Sequence, residues 1–272
     1  MKKISYADAL RQIGVSYLGG TSTSMKTRLS EENAGTLTYI VYLSPADLSG
    51  YNVCPCSKWC KRFCLNGSGL SKIDILSGKN SIQKARIKKT LAFFENKTAF
   101  MVALITEIRR AQNKAQMMGL NFAVRLNGTS DLNPESFVYN GRNILEIFPD
   151  VQFYDYTKVP SRLNLIGKYA NYDLTFSYDG HNWKSAEKFL QKGGKVAVVF
   201  SGKNLPISYK DYPVISGNET DTRFLDPGRH IIGLHYHPVA NDYKMGENGV
   251  RYFVEPTTDF AVRSDNKNCV YA

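Results

Sequence analysis

Four cysteines lie close together in one short stretch of the sequence, and their type and spacing indicate chemistry more clearly than any other residues do. They are Cys54, Cys56, Cys60 and Cys64, whereas Cys269 stands alone near the C-terminus. Five residues separate Cys54 from Cys60, and three separate Cys60 from Cys64. Thiolates on one compact loop can converge on a single centre, and such clustering in a cytosolic protein indicates metal or redox chemistry rather than disulfides.

The spacing favours an iron–sulfur cluster over zinc. Four-cysteine zinc sites usually combine two well-separated knuckles, and this sequence has one compact group, which is typical of iron–sulfur ligation. We therefore expect a [4Fe-4S] cluster on Cys54, Cys60 and Cys64, with one iron open to a small molecule. Cys56 would be a fourth ligand only with tight loop geometry, because Pro55 alone separates it from Cys54. Zinc, and a reactive or incidental cysteine group without metal, remain alternatives.

The residues between the cysteines have types that would suit such a centre. Trp59 and Phe63 would shield it from water or anchor the loop. Lys58, Lys61 and Arg62 would offset its negative charge and lower the thiol pKa values.

The elements that must position this loop alternate along the chain. Short apolar segments that resemble buried parallel strands occur at 37–43, 122–126, 151–156, 173–177, 195–200 and 231–236. Helical patterns occur at 81–95, 99–118, 143–148, 161–170 and 184–191. This alternation predicts a single α/β domain over residues 1–272, built as a partial or open (β/α) barrel of about six mainly parallel strands. The cluster-binding loop is 54–64, and 246–272 is a peripheral C-terminal segment.

Polar residues follow several of these strands. In parallel α/β folds ligands bind at the carboxyl ends of the strands, so these residues are candidates for the site. The catalytic candidates are Arg125, Asp131 and Asp155, and the candidates for cofactor binding are Asn127, Gly128, Thr129, Ser130, Lys158 and Ser177.

Each of these candidates also has a structural interpretation. Arg125 lies on an apolar strand and needs a partner, which could be a ligand carboxylate or phosphate, or an internal carboxylate such as Asp155. The aspartates could act as a general base, or they could simply cap helices and turns.

Several motifs together resemble the phage "gene product eighty-eight" domain family. They are NVCP at 52–55 with Cys60 and Cys64, QKARIKKTL at 83–91, VRLNGTSD at 124–131, VQFYDYTK at 151–158, VAVVF at 196–200 and TDTRFLDP at 220–227. The resemblance covers roughly residues 39–251 and implies a phage or prophage origin. The cysteines of that family correspond to Cys54, Cys60 and Cys64, and Cys56 is extra.

A more distant similarity links the layout to radical S-adenosylmethionine enzymes, which place a three-cysteine loop between a strand and a helix of a partial barrel. By this resemblance the stretch from Asn127 to Asp131 would hold the methionine amino group, and S-adenosylmethionine would be a second cofactor. The cysteine spacing departs from that superfamily, which usually has three and then two intervening residues. The similarity therefore supports the cluster more directly than it supports S-adenosylmethionine.

The charge of the chain indicates the kind of partner. A formal charge of +11, from 35 basic and 24 acidic residues, attracts a nucleotide, another anionic small molecule or nucleic acid. The sequence has no apolar run long enough to span a membrane and no signal peptide, which predicts a cytoplasmic protein, in the host cytoplasm if a phage encodes it. The alternative to a redox or radical enzyme is a non-enzymatic, metal-stabilised basic protein that binds nucleic acid or a phage or host partner. The electron donor is not predicted.

Overall fold

The fold is built on one large mixed sheet with helices packed against it. The computed structural model describes residues 4–58, 60, 64, 80–236, 243–245, 251–253, 260–263 and 265–271. The helices are α1 (Tyr6–Ile13), α2 (Met25–Ala34), α3 (Ser81–Glu95), α4 (Lys97–Met117), α5 (Ile144–Ile147) and α6 (Trp183–Gln191), with short 3-10 helices at Pro134–Ser136, Pro160–Leu165 and Arg223–Leu225.

The strands are short and fall between these helices. They are β1 (Gly19–Thr21), β2 (Thr36–Val41), β3 (Asn121–Arg125), β4 (Val138–Tyr139), β5 (Arg142–Asn143), β6 (Gln152–Thr157), β7 (Tyr172–Ser177), β8 (Lys195–Phe200), β9 (Ser208–Tyr209), β10 (Tyr212–Ser216), β11 (Ile231–His235), β12 (Tyr243–Met245), β13 (Arg251–Phe253), β14 (Ala261–Val262) and β15 (Cys269–Val270).

Six parallel strands form the centre of the large sheet in the order in which they occur along the chain. The order is β2-β3-β6-β7-β8-β11, and each neighbouring pair is parallel. The prediction of a single α/β domain with mainly parallel strands is confirmed, and all six predicted strands are present within one or two residues of their expected bounds. Crossover helices are what allow parallel strands to lie side by side in this way.

The large sheet also has strands that the sequence did not predict. Antiparallel β1 flanks β2 at one end, and β10, β9 and β15 extend the sheet beyond β11 at the other. Among the described residues β2 and β11 do not pair with each other, so no pairing closes a barrel, and the partial barrel stays a prediction. From the segment 246–272, expected at the periphery, the buried strand β14 pairs with the central strand β8.

The two faces of the parallel strands differ because successive side chains point to opposite sides. One face packs on the helices: Val124, Phe153, Leu174 and Val198 belong to the same hydrophobic core as Leu104 of α4. The opposite face is polar, and we call it the polar face. It carries Thr38, Arg125, Tyr154, Tyr156, Asp173, Thr175 and Lys195.

Four of the five predicted helices are present close to their expected bounds, and α1 and α2 were not predicted. The Asn96 side chain accepts a hydrogen bond from the backbone N–H of Ala99 and so caps α4, directly after α3 ends. The helix expected over 161–170 is instead a 3-10 helix that stops at Leu165. Gly167 has a φ of 74°, a left-handed conformation that cannot continue a right-handed helix.

Candidate functional site

The cysteine loop is attached to the loop that follows β3. The backbone N–H of Asp131 donates to the carbonyl oxygen of Val53 at 2.8 Å. The Cys54 sulfur lies 3.4 Å from the backbone nitrogen of Ala46 and 3.9 Å from the carbonyl oxygen of Thr129. Because these contacts join the segments after two neighbouring parallel strands, they place Cys54 at the carboxyl edge of the sheet.

Three of the four clustered cysteines interact with one another. Cys54 interacts electrostatically with both Cys60 and Cys64, and Cys60 interacts with Cys64. Charged residues of the loops after β3, β6 and β7 act on Cys56. They are Asp131, Arg162, Asp179 and Lys158, of which Asp131, Asp179 and Lys158 also act on Cys60. The loop thus brings Cys54, Cys60 and Cys64 near one another, and Cys56 shares much of the charged surroundings of Cys60.

Burial makes these thiols weak acids. It raises the pKa of Cys54 to about 12 and also raises the pKa of Cys56 and Cys60. The expectation that nearby basic residues would lower the thiol pKa values is therefore wrong for these three cysteines, because desolvation is the largest effect on the pKa of each. The cation that acts most on Cys60 is Lys158, which is distant in sequence. Lys58 is exposed.

Some residues expected around the cysteines lie outside the part of the chain that the structure describes. They are Trp59, Lys61, Arg62 and Phe63. Within the described part, no group of three His, Cys, Asp or Glu side chains is arranged to hold a single metal ion. The ligands of a single metal ion must lie close together around that ion. The cysteine thiolates of a cubane cluster instead bind different irons, so they lie farther apart.

The loop after β3 is stabilised by its own side chains. The Asn127 side chain donates to Asp155 Oδ2 at 3.0 Å and to the carbonyl oxygen of Leu132 at 3.1 Å. Its Oδ1 atom accepts from Ser130 Oγ and from the Leu132 N–H, both at 2.8 Å. The Asn127 and Ser130 side chains, which we predicted to bind a cofactor, therefore have internal partners that fix the shape of the loop.

The other two residues of this stretch also contact the protein itself. Thr129 Oγ1 donates to the Leu43 carbonyl oxygen at 2.5 Å. A Cβ atom at Gly128 would lie 2.7 Å from the Tyr42 ring and 2.8 Å from Ile40 Cγ2. Glycine is required here because the backbone packs directly on β2 and the residues after it.

Asp131 is the centre of a buried ion pair. Its carboxylate accepts hydrogen bonds from the Arg162 guanidinium and, at 2.9 Å, from the backbone N–H of Lys158. Arg162 also donates to the Asp131 carbonyl oxygen at 2.5 Å. Sequence reasoning missed Arg162, because it lies in a segment expected to be an ordinary connecting helix, and only the tertiary fold brings it beside the loop after β3.

Lys158 and Ser177 meet at the ends of β6 and β7. Lys158 Nζ donates to Ser177 Oγ at 2.5 Å. Because Lys158 also interacts electrostatically with Cys60, this pair lies beside the cysteine loop. Two residues predicted from their position after neighbouring strands are thus brought together at the same edge.

Asp155 is almost fully buried on the helix-covered side of β6, at 1% exposure. It accepts hydrogen bonds from the backbone N–H of Asn127 at 2.8 Å and from its side chain. Burial raises the pKa of Asp155 to about 7, against the opposing effects of Arg125 and of both hydrogen bonds.

Arg125 forms an internal ion pair, but not with the carboxylate that we had suggested. Its Nη1 atom lies 3.0 Å from Asp221 Oδ2, and Tyr154 donates to the same oxygen at 2.9 Å. Alternation along the strands explains why Asp155 is not the partner, since Arg125 lies on the polar face and Asp155 faces the helices.

The basic surface of α3 is largely used inside the fold. Lys89 Nζ donates to the Leu18 carbonyl oxygen at 2.7 Å, Lys88 Nζ donates to that of Gly14 at 3.1 Å, and the Arg86 guanidinium lies 5.2 Å from the centre of the Tyr42 ring. These contacts occupy cations that would otherwise be available to a nucleic-acid backbone. No helix among the described residues is both long enough and apolar enough to cross a bilayer.

A comparison with protein families agrees with the motifs from which the resemblance was drawn. The family model described as gene product 88 matches residues 17–244. No curated protein and no solved structure matches the chain. The matched segment includes the cysteine loop, all six parallel strands and the loops at their carboxyl ends. The chain therefore belongs to the gene product 88 family of phage proteins.

Proposed function

We propose that this phage protein binds a [4Fe-4S] cluster through Cys54, Cys60 and Cys64 and performs redox or radical-type chemistry on a small molecule or nucleotide in the host cytoplasm. The observation that carries the proposal is that Cys60 and Cys64 are near enough to act electrostatically on Cys54, which lies at the carboxyl edge of a parallel sheet. Ligand sites of parallel α/β proteins lie at this edge. Cys56 is not a ligand in this proposal.

The acidity of the thiols favours metal binding over a reactive-cysteine site. A nucleophilic cysteine needs a lowered pKa, because the thiolate is the reactive form. Burial instead raises the pKa values of Cys54 and Cys60, so both thiols are protonated and unreactive at neutral pH. A metal removes this obstacle because it displaces the thiol proton on coordination.

Nearby residues would act on a ligand beside such a cluster. The cluster would supply electrons, and an iron without a protein ligand would supply a binding position. The Lys158 ammonium, which Ser177 Oγ holds in place, would attract an anionic group of the ligand. The Asp131–Arg162 pair would fix the loop that separates the cysteines from the strands.

The use of S-adenosylmethionine is a narrower form of the same proposal. The loop from Asn127 to Asp131 lies beside Cys54, as that chemistry would require. Its asparagine and hydroxyl side chains are engaged within the protein, so a methionine amino group would have to bind backbone carbonyl oxygens there.

Metal analysis of cysteine variants tests the cluster. Protein purified anaerobically and reconstituted with iron and sulfide should contain about four irons, as a [4Fe-4S] cluster requires. Cys54→Ala, Cys60→Ala and Cys64→Ala should each lose most of the iron, and Cys56→Ala is the matched control that should retain it. Equal loss in Cys56→Ala would indicate four-cysteine ligation. Stoichiometric zinc, or no metal in the wild-type protein, would refute the cluster.

Spectroscopy of the reduced protein tests the chemistry separately. If one iron is open, a small-molecule ligand should change the EPR spectrum of the reduced cluster, and S-adenosylmethionine is the first compound to add. Lys158→Met should weaken that change without lowering the iron content. A spectrum that no added nucleotide or S-adenosylmethionine alters would favour the non-enzymatic alternative, in which a metal centre stabilises a basic binding protein.

A further inference from the structure

The polar face of the sheet carries a cluster of one buried and two partly buried cations, which the proposed iron–sulfur chemistry does not use. Lys26 of α2 interacts electrostatically with Arg125 of β3, with Arg223 and with Asp221, and the latter three also act on Tyr156. Arg125 pairs with Asp221 at 3.0 Å, and Lys26 Nζ donates to the carbonyl oxygen of Gly217 at 2.8 Å. Two elements that cover the polar face, α2 and the segment 217–226, therefore bring these charges to Arg125.

Positive charge is in excess at this place. Asp221 is the ion-pair partner of Arg125, and Asp226 is that of Arg223, whose Nη1 atom lies 3.0 Å from Asp226 Oδ2. Lys26 has a carbonyl oxygen as its hydrogen-bond acceptor. Cations that are buried together without matching anions repel one another, and burial together with the neighbouring arginines lowers the pKa of Lys26 to about 8.

Several N–H groups of this cluster are buried and lack a hydrogen-bond acceptor within the described part of the chain. They are Arg125 Nε, Arg223 Nε and Arg223 Nη1. The contact of Arg223 Nη1 with Asp226 is close enough for an ion pair, but its angle does not make a hydrogen bond. Arg223 is only 1% exposed, and the Asp226 Oδ2 atom beside its Nη1 is likewise buried without a hydrogen bond. The Nε groups of Arg125 and Arg223 are therefore the donors that have left water without an acceptor among the described residues. Unsatisfied buried donors are costly and indicate a missing acceptor.

The cluster of cations is open to solvent on one side. The Arg125 side chain is 17% exposed, and its guanidinium lies 4.7 Å from the centre of the half-buried Tyr156 ring. At the inner side, a Cβ atom on residue 217 would lie 2.7 Å from Arg223 Nη1 and 2.4 Å from Ile232 Cγ2, so glycine lets this segment pack directly on Arg223. A ligand group could approach from the side of Lys26 and Arg125, which are both partly exposed.

We propose that Lys26, Arg125 and Arg223 form a binding site for an oxyanion, the phosphate or carboxylate group of a small-molecule ligand. Planar guanidinium groups present several N–H donors that match the oxygens of such anions, and the lysine adds a compact charge. The anion would accept hydrogen bonds from the buried donors and balance the excess positive charge. The site contains no cysteine and does not depend on the proposed metal centre.

Calorimetric titration with inorganic phosphate and with acetate, at constant ionic strength set by chloride, tests this site directly. Saturable binding of one phosphate or one acetate per chain is expected, and the tighter of the two identifies the ligand group. Lys26→Met, which keeps the length of the side chain and removes its charge, should weaken binding roughly tenfold or more. Lys184→Met is the matched control, because Lys184 is exposed on α6, and it should bind like the wild-type protein.

The wild-type titration can overturn the proposal by itself, so it does not depend on a variant that folds. Absence of saturable heat for both anions would refute an oxyanion site. Binding that Lys26→Met and Lys184→Met weaken equally would show general attraction to a basic protein and would also refute it. Because metal content is measured separately, loss of the cluster in the cysteine variants would leave this result unaffected.

Discussion

The pH dependence of stability should report directly on the buried carboxylate of Asp155. Burial raises its pKa from the ordinary 3.8 to about 7 in the folded protein. The Asp155 carboxyl group therefore binds its proton more tightly in the folded state than in the unfolded chain. The stabilisation from this group is fully present below pH 3.8, and it is lost as the pH rises through about 7.

The size of the effect follows from the shift. The difference between 3.8 and about 7 is roughly three pKa units, and each unit corresponds to about 1.4 kcal/mol. Between pH 4.5 and pH 8, linkage predicts that this group lowers the free energy of unfolding by about 3 kcal/mol. Buried Asp173 and Asp226 also have raised pKa values and act with the same sign, so the wild-type curve alone does not isolate Asp155.

Asp155→Asn isolates the contribution, because the variant carries no ionisable group at this position. Urea unfolding of both proteins should be followed from pH 4.5 to pH 8, with the exposed Asp150→Asn as control. The free energy of unfolding of the variant will differ from that of the wild-type protein by a constant amount as well, because the new NH2 group is a donor that faces the N–H donors of Asn127. The wild-type protein should lose about 3 kcal/mol relative to the variant across this range.

A constant difference between the two proteins would refute the reasoning. It would mean that Asp155 stays ionised at all these pH values, so that Arg125 and the hydrogen bonds from Asn127 outweigh its burial. The Asp150→Asn control should follow the wild-type curve, because that side chain remains in water in both states.

Three further changes probe contacts that stabilise the fold, each measured by urea unfolding. Arg162→Met leaves the buried carboxylate of Asp131 without its ion-pair partner and should lower the free energy of unfolding by about 3–5 kcal/mol. Gly128→Ala should cost about 1–3 kcal/mol, because the new methyl group would lie 2.7 Å from the Tyr42 ring. Glu107→Gln should cost about 2 kcal/mol, since its carboxylate accepts from two backbone N–H groups and two tyrosine hydroxyls.

Exposed residues of the same types serve as controls for two of these changes. Arg28→Met and Glu32→Gln lie on the solvent side of α2 and should alter stability by less than about 0.5 kcal/mol. If Arg162→Met is no more destabilising than Arg28→Met, the buried pair does not support the loop. Unchanged stability of Gly128→Ala would show that β2 and the loop after β3 can separate without cost.

The order and type of the central elements could be predicted because local patterns determine them. The segment KVAVVF, for example, is a strand at the predicted residues Lys195–Phe200, and α3 has the predicted bounds Ser81–Glu95. The N-terminal helices α1 and α2 and the short edge strands were missed. The helices have local signals that could have revealed them, since serine caps the start and glycine the end of each: Ser5 and Gly14 for α1, Ser24 and Gly35 for α2. In contrast, β1 and β15 are defined by their pairing with distant strands.

The partners of the charged residues could not be predicted in the same way. Arg125 clearly needed a buried partner, but the sequence could not select Asp221, which is 96 residues away. Likewise, Arg162 gives no local sign that it pairs with Asp131. Such pairs depend on which face of a strand a residue occupies and on which loop covers that face, and both are properties of the assembled sheet.

By itself, the sequence determined the α/β class, the six parallel strands, the family and the group of cysteines that could bind a metal. These features depend on residue type and spacing along one short segment at a time. Only the tertiary structure decided that Cys54, Cys60 and Cys64 interact with one another, that burial weakens the acidity of Cys54 and Cys60, and that Lys26 and Arg223 join Arg125 on the polar face. Desolvation and the pairing of charges depend on atoms that are close in space and distant in sequence, so these properties appear only once the chain has folded.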